Sequence, residues 1–397
     1  MRVLHVIDSL GSGGTETSLR ELLPALHNDR LQHAVATFAP GEQAPPQFAD
    51  IGIRVLAPDY VLRGRIARTQ HVRSAISEFR PDLLHTALFE ADLAGRIAGS
   101  LSRTPVLTSL VNMSYVREAW PSGRLPRIKF RAVKAIDSLL GRRATYAFHA
   151  VTHSVASQMV SDLGIERRRV WVVPRGRSLA RLGEPSPERR KAVRAELGVD
   201  PGAPLLLNVG RHEPQKGQVD LVAVVALLQQ AHTEVQLLIA GREGRSSSEL
   251  RRRMEQTAVS DRVHLLGSRD DIGDLLCAAD LFVFPSRYEG IGGAMLEAMI
   301  MGVPVVASDI PGLREVLDDG RCGVLVTPGD PGAFADAIDR TISDPQEAAN
   351  RAAEARRRAL HTYSYQACVQ GMEAMYLDLQ EDIVRDARRV RPKHRAS

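Results

Sequence analysis

Two Rossmann-like, doubly wound α/β domains facing a cleft are the expectation for this chain. Three observations carry it. The length of 397 residues is long for one hydrophobic core. Short apolar strands alternate with amphipathic helices, the pattern of a parallel sheet covered on both faces. A proline-rich break then interrupts the alternation, which restarts beyond it.

In the first half the strand segments are residues 3–7, 34–38, 54–56, 83–85, 106–110, 147–151 and 170–173, with helix-like stretches such as 16–26 and 91–101 between them. The break, 179–204, carries Pro185, Pro187, Pro201 and Pro204 and reads as a linker with a short helix near 189–197. Strands follow at 205–209, 235–240, 263–266, 281–284, 303–307 and 323–326. The expected domains are 1–180 and 200–362, with a helix at 363–383 and a basic, disordered tail at 384–397. In such sheets ligands bind beyond the carboxyl ends of the strands.

Composition bounds the function. With 44% apolar and 25% charged residues the composition is that of an ordinary soluble enzyme, and no apolar run is long enough to span a bilayer. The opening MRVLHVIDSL reads as a first strand, not a secretory signal. Cys277, Cys322 and Cys368 are scattered, which fits a reducing cytoplasm and argues against a disulfide framework or a zinc site. The low aromatic content of 5% and the lack of RRM, KH or helix-turn-helix signatures argue against nucleic acid.

The net charge of +5 is unevenly spread. Arg117, Arg124, Arg127, Lys129, Arg131, Lys134, Arg142 and Arg143 crowd one segment against Glu118 and Asp137, interleaved with Trp120, Leu125, Ile128, Phe130, Val133, Ile136 and Leu139. Two readings stay open: a helix whose cations face water, or a basic amphipathic helix drawn to an anionic leaflet or a phosphorylated acceptor.

Three motifs carry chemistry. After the first strand, DSLGSGGTETSL places Gly11, Gly13 and Gly14 at a helix entrance, with Thr15 as a cap, an arrangement that lets an anion approach the helix amides. Its spacing is not that of a dinucleotide fingerprint. In LLLNVGRHEPQKG, Arg211 and Lys216 follow a strand end and suit a diphosphate. In RYEGIGGAMLEAM, Glu289 and Glu297 flank Gly290, Ile291, Gly292 and Gly293 at another helix entrance. The glycines suit a phosphate, and the carboxylates suit sugar or ribose hydroxyls. The ligand that fits is anionic in the middle and polyhydroxylated at both ends: a nucleotide sugar.

Together the GG-TE loop, VGRHEPQKG and EGIGGAMLEAMIMGVPVVASDIPGLREVL closely resemble the retaining GT-B glycosyltransferases of family 4 (glycosyl transferases group 1), from Met1 to about Leu379. The resemblance implies that Arg211 and Lys216 hold the donor diphosphate as it leaves, that Glu289 contacts the donor sugar and that Glu297 contacts the ribose. It implies amide contacts from Ile291, Gly292 and Gly293, closure by Gly13 and Gly14, and nucleobase contact near Arg269. It further implies a final helix that crosses back to the first domain. The substrates would be a uridine or guanosine diphosphate sugar and a sugar, lipid-linked or other hydroxyl acceptor. No cofactor and no metal are expected.

The chain departs from the pattern where many relatives carry a histidine: here Leu110, Val111 and Asn112 stand, and Asn112 can bond a donor sugar but cannot carry a proton. Ile291 and Gly293 also replace bulkier residues. His85 ends a strand, where acceptor contact and a structural role are both open. His149 and His153 have metal-like spacing but no accompanying acid. Rival readings are an epimerase or hydrolase on the same architecture, or a nucleotide-sugar-binding protein without turnover.

Overall fold

The computed structural model describes residues 1–11, 13–116, 127–229, 234–257 and 259–390. The chain forms two compact units, with the boundary at Arg175/Gly176. Residues 1–111, the segment ending at Arg175 and the last helix make the first; Gly176–Ser364 and the residues from Asn112 make the second.

The first unit holds a seven-stranded sheet in the order β3-β2-β1-β4-β5-β6-β7, with every pairing parallel. Its strands are β1 (Arg2–Ile7), β2 (Gln32–Thr37), β3 (Arg54–Leu56), β4 (Leu83–Ala87), β5 (Val106–Leu110), β6 (Ala147–Ala150) and β7 (Val170–Val172). Registers such as Val3↔Leu83 put Val3, Leu83, Leu107 and Ala147 on one face, under Met372, Met375, Tyr376 and Leu379 of the last helix. Leu4, Val6 and Leu84 point the other way, into a cluster with Val72, Phe79 and Ala94. Both faces are covered, which is why these strands are mostly apolar, with His5, His33, His85 and His149 buried among them.

The second unit holds six parallel strands in the order β10-β9-β8-β11-β12-β13. These are β8 (Leu205–Val209), β9 (Gln236–Ala240), β10 (Val263–Gly267), β11 (Leu281–Phe284), β12 (Val305–Ser308) and β13 (Val324–Val326). Each sheet reverses its winding direction beside its own first strand, between β1 and β4 and between β8 and β11. Those are the switch points at which doubly wound sheets hold ligands.

Several expectations are corrected. The stretch expected to be a linker with one short helix near 189–197 carries two helices, Leu179–Leu182 and Pro187–Glu196, the second of them the expected one. Ser186 caps the second by accepting from Arg189 N at 3.2 Å, and Arg190 and Arg194 tie it to Asp280. Proline misled here because Pro187 sits in the first turn, where no amide is needed. The last helix runs Tyr365–Val390, so the supposed tail begins as helix; residues 391–397 lie outside the described residues. Thr15 lies inside the helix Gly14–Leu26, whose N-cap is Gly13. In the basic segment, Arg117, Glu118, Trp120, Arg124 and Leu125 lie outside the described residues; the helix starts at Arg127.

Candidate active site at the carboxyl ends of β8 and β11

Two loops leave the second sheet at its switch point. The one after β8 carries Arg211 and Lys216; the one after β11 carries Glu289. Gln215 stitches them together: its carbonyl accepts from Arg287 N at 2.7 Å, and its side-chain amide donates to Tyr288 O at 2.8 Å. Gly217 (φ +64°) passes so close to the Pro285 carbonyl that a Cβ would lie 2.2 Å from the oxygen, so a side chain here would drive the loops apart. Beneath them, Asn208 donates to Val283 O at 2.8 Å and accepts from Gln218 at 2.9 Å.

This stitching brings Lys216 Nζ to 2.5 Å from Glu289 Oε1, with the ammonium also 5.3 Å from the Phe284 ring centroid. Glu289 is buried and Lys216 half-buried. Arg211 is exposed, with no ion pair among the described residues. The loop after β9 backs it: His212 N donates to Arg242 O and Ser246 N to His212 O.

Residues 290–293 turn into the helix Gly293–Met301, with Gly292 as a left-handed N-cap (φ 72°). The first amides of such a helix have no internal partner and form an anion site. Gly312, in the next helix, presses on the same loop: a Cβ there would lie 2.5 Å from Glu289 O and 2.7 Å from Gly290 O. Glu297, the fifth residue of the Gly293–Met301 helix, is buried, and its Oε1 lies 3.2 Å from Arg177 Nε.

The structure thus gathers Arg211, Lys216, Glu289, the 290–293 loop and Glu297 at one end of one sheet. Sequence reading missed Arg177 and Gly312. Arg177 sits far away in the chain and in no motif, and Gly312 looks like an ordinary helix glycine. Arg269 gives a different result. Asp271 grips it through two nitrogens and Glu196 lies 3.5 Å away, which raises the guanidinium pKa further, so the side chain is held locally.

Gly13, Gly14 and His85 belong to the first unit, at its own switch point. Glu16 folds back over Gly13, whose hypothetical Cβ would lie 2.2 Å from its carboxylate, while Gly14 faces open space. Arg175 donates to Thr15 Oγ1 at 3.1 Å. Leu88, after β4, holds φ +79°, strained for a leucine. His85 is not at a strand end but inside β4, buried. Its Nδ1 meets Tyr376 Oη at 2.6 Å and its Nε2 meets Ser109 Oγ at 2.8 Å. Both nitrogens are used, so its role is structural. Asn112 accepts from Met113 N at 2.9 Å, a local turn bond. His149 lies in β6 and His153 opens the next helix, so they share no helical face.

Comparison with known proteins bears on the family and the fold. The family model of "Glycosyl transferases group 1" matches residues 189–358, and that of "Glycosyl transferase 4-like domain" matches 13–176. An alpha-maltose-1-phosphate synthase of Mycolicibacterium smegmatis is 30% identical over 342 residues, 79% of this chain and 84% of that one. A D-inositol 3-phosphate glycosyltransferase of Pseudarthrobacter chlorophenolicus is 28% identical over 84% of this chain and 83% of that one. Among solved structures, Anabaena Alr3699/HepE in complex with UDP and glucose superposes with a TM-score of 0.81 at 23% identity, over 95% of this chain and all of that one.

Proposed function

We propose, for a chain that belongs to glycosyltransferase family 4 (glycosyl transferases group 1) and has its GT-B fold, a retaining, metal-independent transfer of a sugar from a nucleoside diphosphate to a hydroxyl acceptor. The observation that carries the reading is the Lys216–Glu289 pair beside the amides at 292 and 293. A cation, a helix start and a carboxylate stand at one strand end, in the order a nucleotide sugar needs.

Arg211 and Lys216 receive the charge that develops on the leaving diphosphate, and the amides of the Gly293–Met301 helix share it. Glu289 accepts from donor-sugar hydroxyls and Glu297 from the ribose. The acceptor attacks the face from which the diphosphate departs, and a phosphate oxygen takes its proton, so configuration is retained without a protein nucleophile. Asn112, which carries no proton, is compatible with that route. Uridine diphosphate sugars are the first donors to try, because the Anabaena structure holds UDP and glucose.

The test is a thermal-shift screen of nucleotide sugars, followed by turnover with candidate acceptors and assignment of the product anomer. Bound donor stabilises the fold with the logarithm of its saturation. A retained anomer is expected. Free sugar or epimerised donor without acceptor would instead favour the hydrolase or epimerase reading, and tight binding without turnover a binding protein.

A second reading concerns place of work: the cytoplasmic face of an anionic membrane. No helix among the described residues is long and apolar enough to cross a membrane. The helix Arg127–Ala144 nevertheless turns Ile128, Ile136 and Leu139 outward, among exposed Lys129, Arg131, Arg142 and Arg143. Its inward side is held by Asp137 on buried Arg96 and by Lys134 at 2.6 Å from Asp162. An outward face that mixes apolar and basic residues suits a lipid interface.

A further inference from the structure

Arg177 lies in no motif, yet its side chain ends at the helix start of the candidate site. The backbone around it is pinned: Arg177 N donates to Tyr363 O at 3.0 Å, and the residue bridges to Ser364. The residue is buried, 8% exposed. Its Nη1 donates to Gly176 O at 3.0 Å and its Nε lies 3.2 Å from Glu297 Oε1.

Its Nη2 end also abuts Gly293. A Cβ at that position would fall 2.2 Å from Nη2 and 3.1 Å from Cζ. An exposed arginine would swing aside, but this one is enclosed and tied at its backbone and to Glu297. Any side chain at residue 293 therefore displaces the guanidinium from the carboxylate. Gly293 has an ordinary negative φ, so backbone conformation does not demand glycine there; the arginine does.

The placement is electrostatically unusual. A cation beside the first turn of a helix sits at the positive end of the dipole, the unfavourable end. Three cations, Arg177, Arg211 and Lys216, stand against two carboxylates, Glu289 and Glu297. The surplus suits an anionic ligand, and the carboxylate that Arg177 holds is the one aimed at the ribose.

We propose that Arg177 is a positioning residue of the donor site: it orients Glu297 to receive the ribose hydroxyls, and Gly293 is the glycine that admits it. The proposal rests on the donor-site reading above. It assigns a specificity role to a residue outside both motifs and gives the missing side chain at 293 a physical reason.

The experiment compares binding of UDP, GDP and ADP with binding of their 2′,3′-dideoxy counterparts, by calorimetry, in the wild type, Arg177→Gln, Arg177→Lys and Gly293→Ala. The wild type is expected to prefer its ribose nucleotide by roughly 10- to 100-fold, the range of a hydrogen bond to a charged group. Arg177→Gln and Gly293→Ala are expected to bring that preference near unity, and Arg177→Lys to keep part of it. A structural role alone would weaken both nucleotides equally and leave the ratio unchanged; that result overturns the proposal and spares the donor site. No binding of any nucleotide to the wild type overturns the donor-site reading and this proposal with it. Should Arg177→Gln fail to fold, the ratio in Gly293→Ala decides.

Discussion

Lys216 and Arg211 leave the same loop but are held differently, and that separates the effects of removing them. Lys216 is the partner of buried Glu289; Arg211 is exposed. Either alanine substitution removes a charge-assisted bond to a diphosphate, so both are expected to lower nucleoside diphosphate affinity by roughly 10- to 100-fold. Lys216→Ala also leaves Glu289 without this partner and is expected to cost about 1–3 kcal/mol of stability. Arg211→Ala is expected to melt like the wild type. Calorimetry and thermal melts on the two variants check this. Equal diphosphate affinity in both variants and the wild type would remove these residues from the site.

The loops, rather than single side chains, set the site's shape, and Gly312 tests this. Gly312→Ala would push a methyl group against two carbonyls of the Glu289 loop, 2.5 and 2.7 Å away. Overpacking of this kind costs about 1–3 kcal/mol, and donor affinity is expected to fall while far-ultraviolet dichroism stays unchanged. In the first unit the sheet face under the last helix carries another device. His5 Nε2 meets His33 Nδ1 at 3.0 Å, and Ser109 links His85 to His149 at 2.8 and 3.1 Å. Burial, above all, lowers the pKa of each, to about 3 for His33 and about 4 for His149, and Arg175 adds to the effect on His85 and His149. These folded pKa values lie below the unfolded value of about 6.5. The unfolded chain therefore binds more protons as pH falls, and the stability present above about pH 6.5 is lost below it. At pH 4.5 a group like His149 is expected to cost about 2–3 kcal/mol. Melts from pH 7.5 to 4.5 check it, with His149→Asn expected to flatten the acid side.

For the protein as a unit, two expectations follow from charge. Activity is expected to persist in EDTA, since Arg211, Lys216 and the helix start neutralise the leaving diphosphate. Loss of turnover with EDTA and rescue by magnesium or manganese would contradict this. The helix Arg127–Ala144 leads to sedimentation with anionic vesicles at low salt, weakened at high salt and absent with neutral vesicles. Each cation near such a surface contributes roughly 1 kcal/mol. Recovery in the supernatant under every condition would remove the membrane reading.

The sheets were legible along the chain. Every strand segment expected from the apolar runs is a strand, because parallel strands buried on both faces need continuous apolar residues, and that need is local. The motifs at 211–216 and 289–297 were legible for a similar reason: glycine, cation and acid at fixed spacing after a strand end state their chemistry within a few residues. Other features were not. The stretch at 179–204 looked like a linker with one short helix, because proline marks both loops and helix starts, and only packing against Asp280 distinguishes them. For His85 the sequence left acceptor contact and a structural role both open, because the partners at its two nitrogens are Ser109 and Tyr376, the latter 291 residues away. Arg177 and Gly293 carry no local signal of their relation. Patterns of spacing record what a residue does to its neighbours in sequence. Which buried cation meets which carboxylate depends on where folding brings distant segments together, and that was decided by the packed structure.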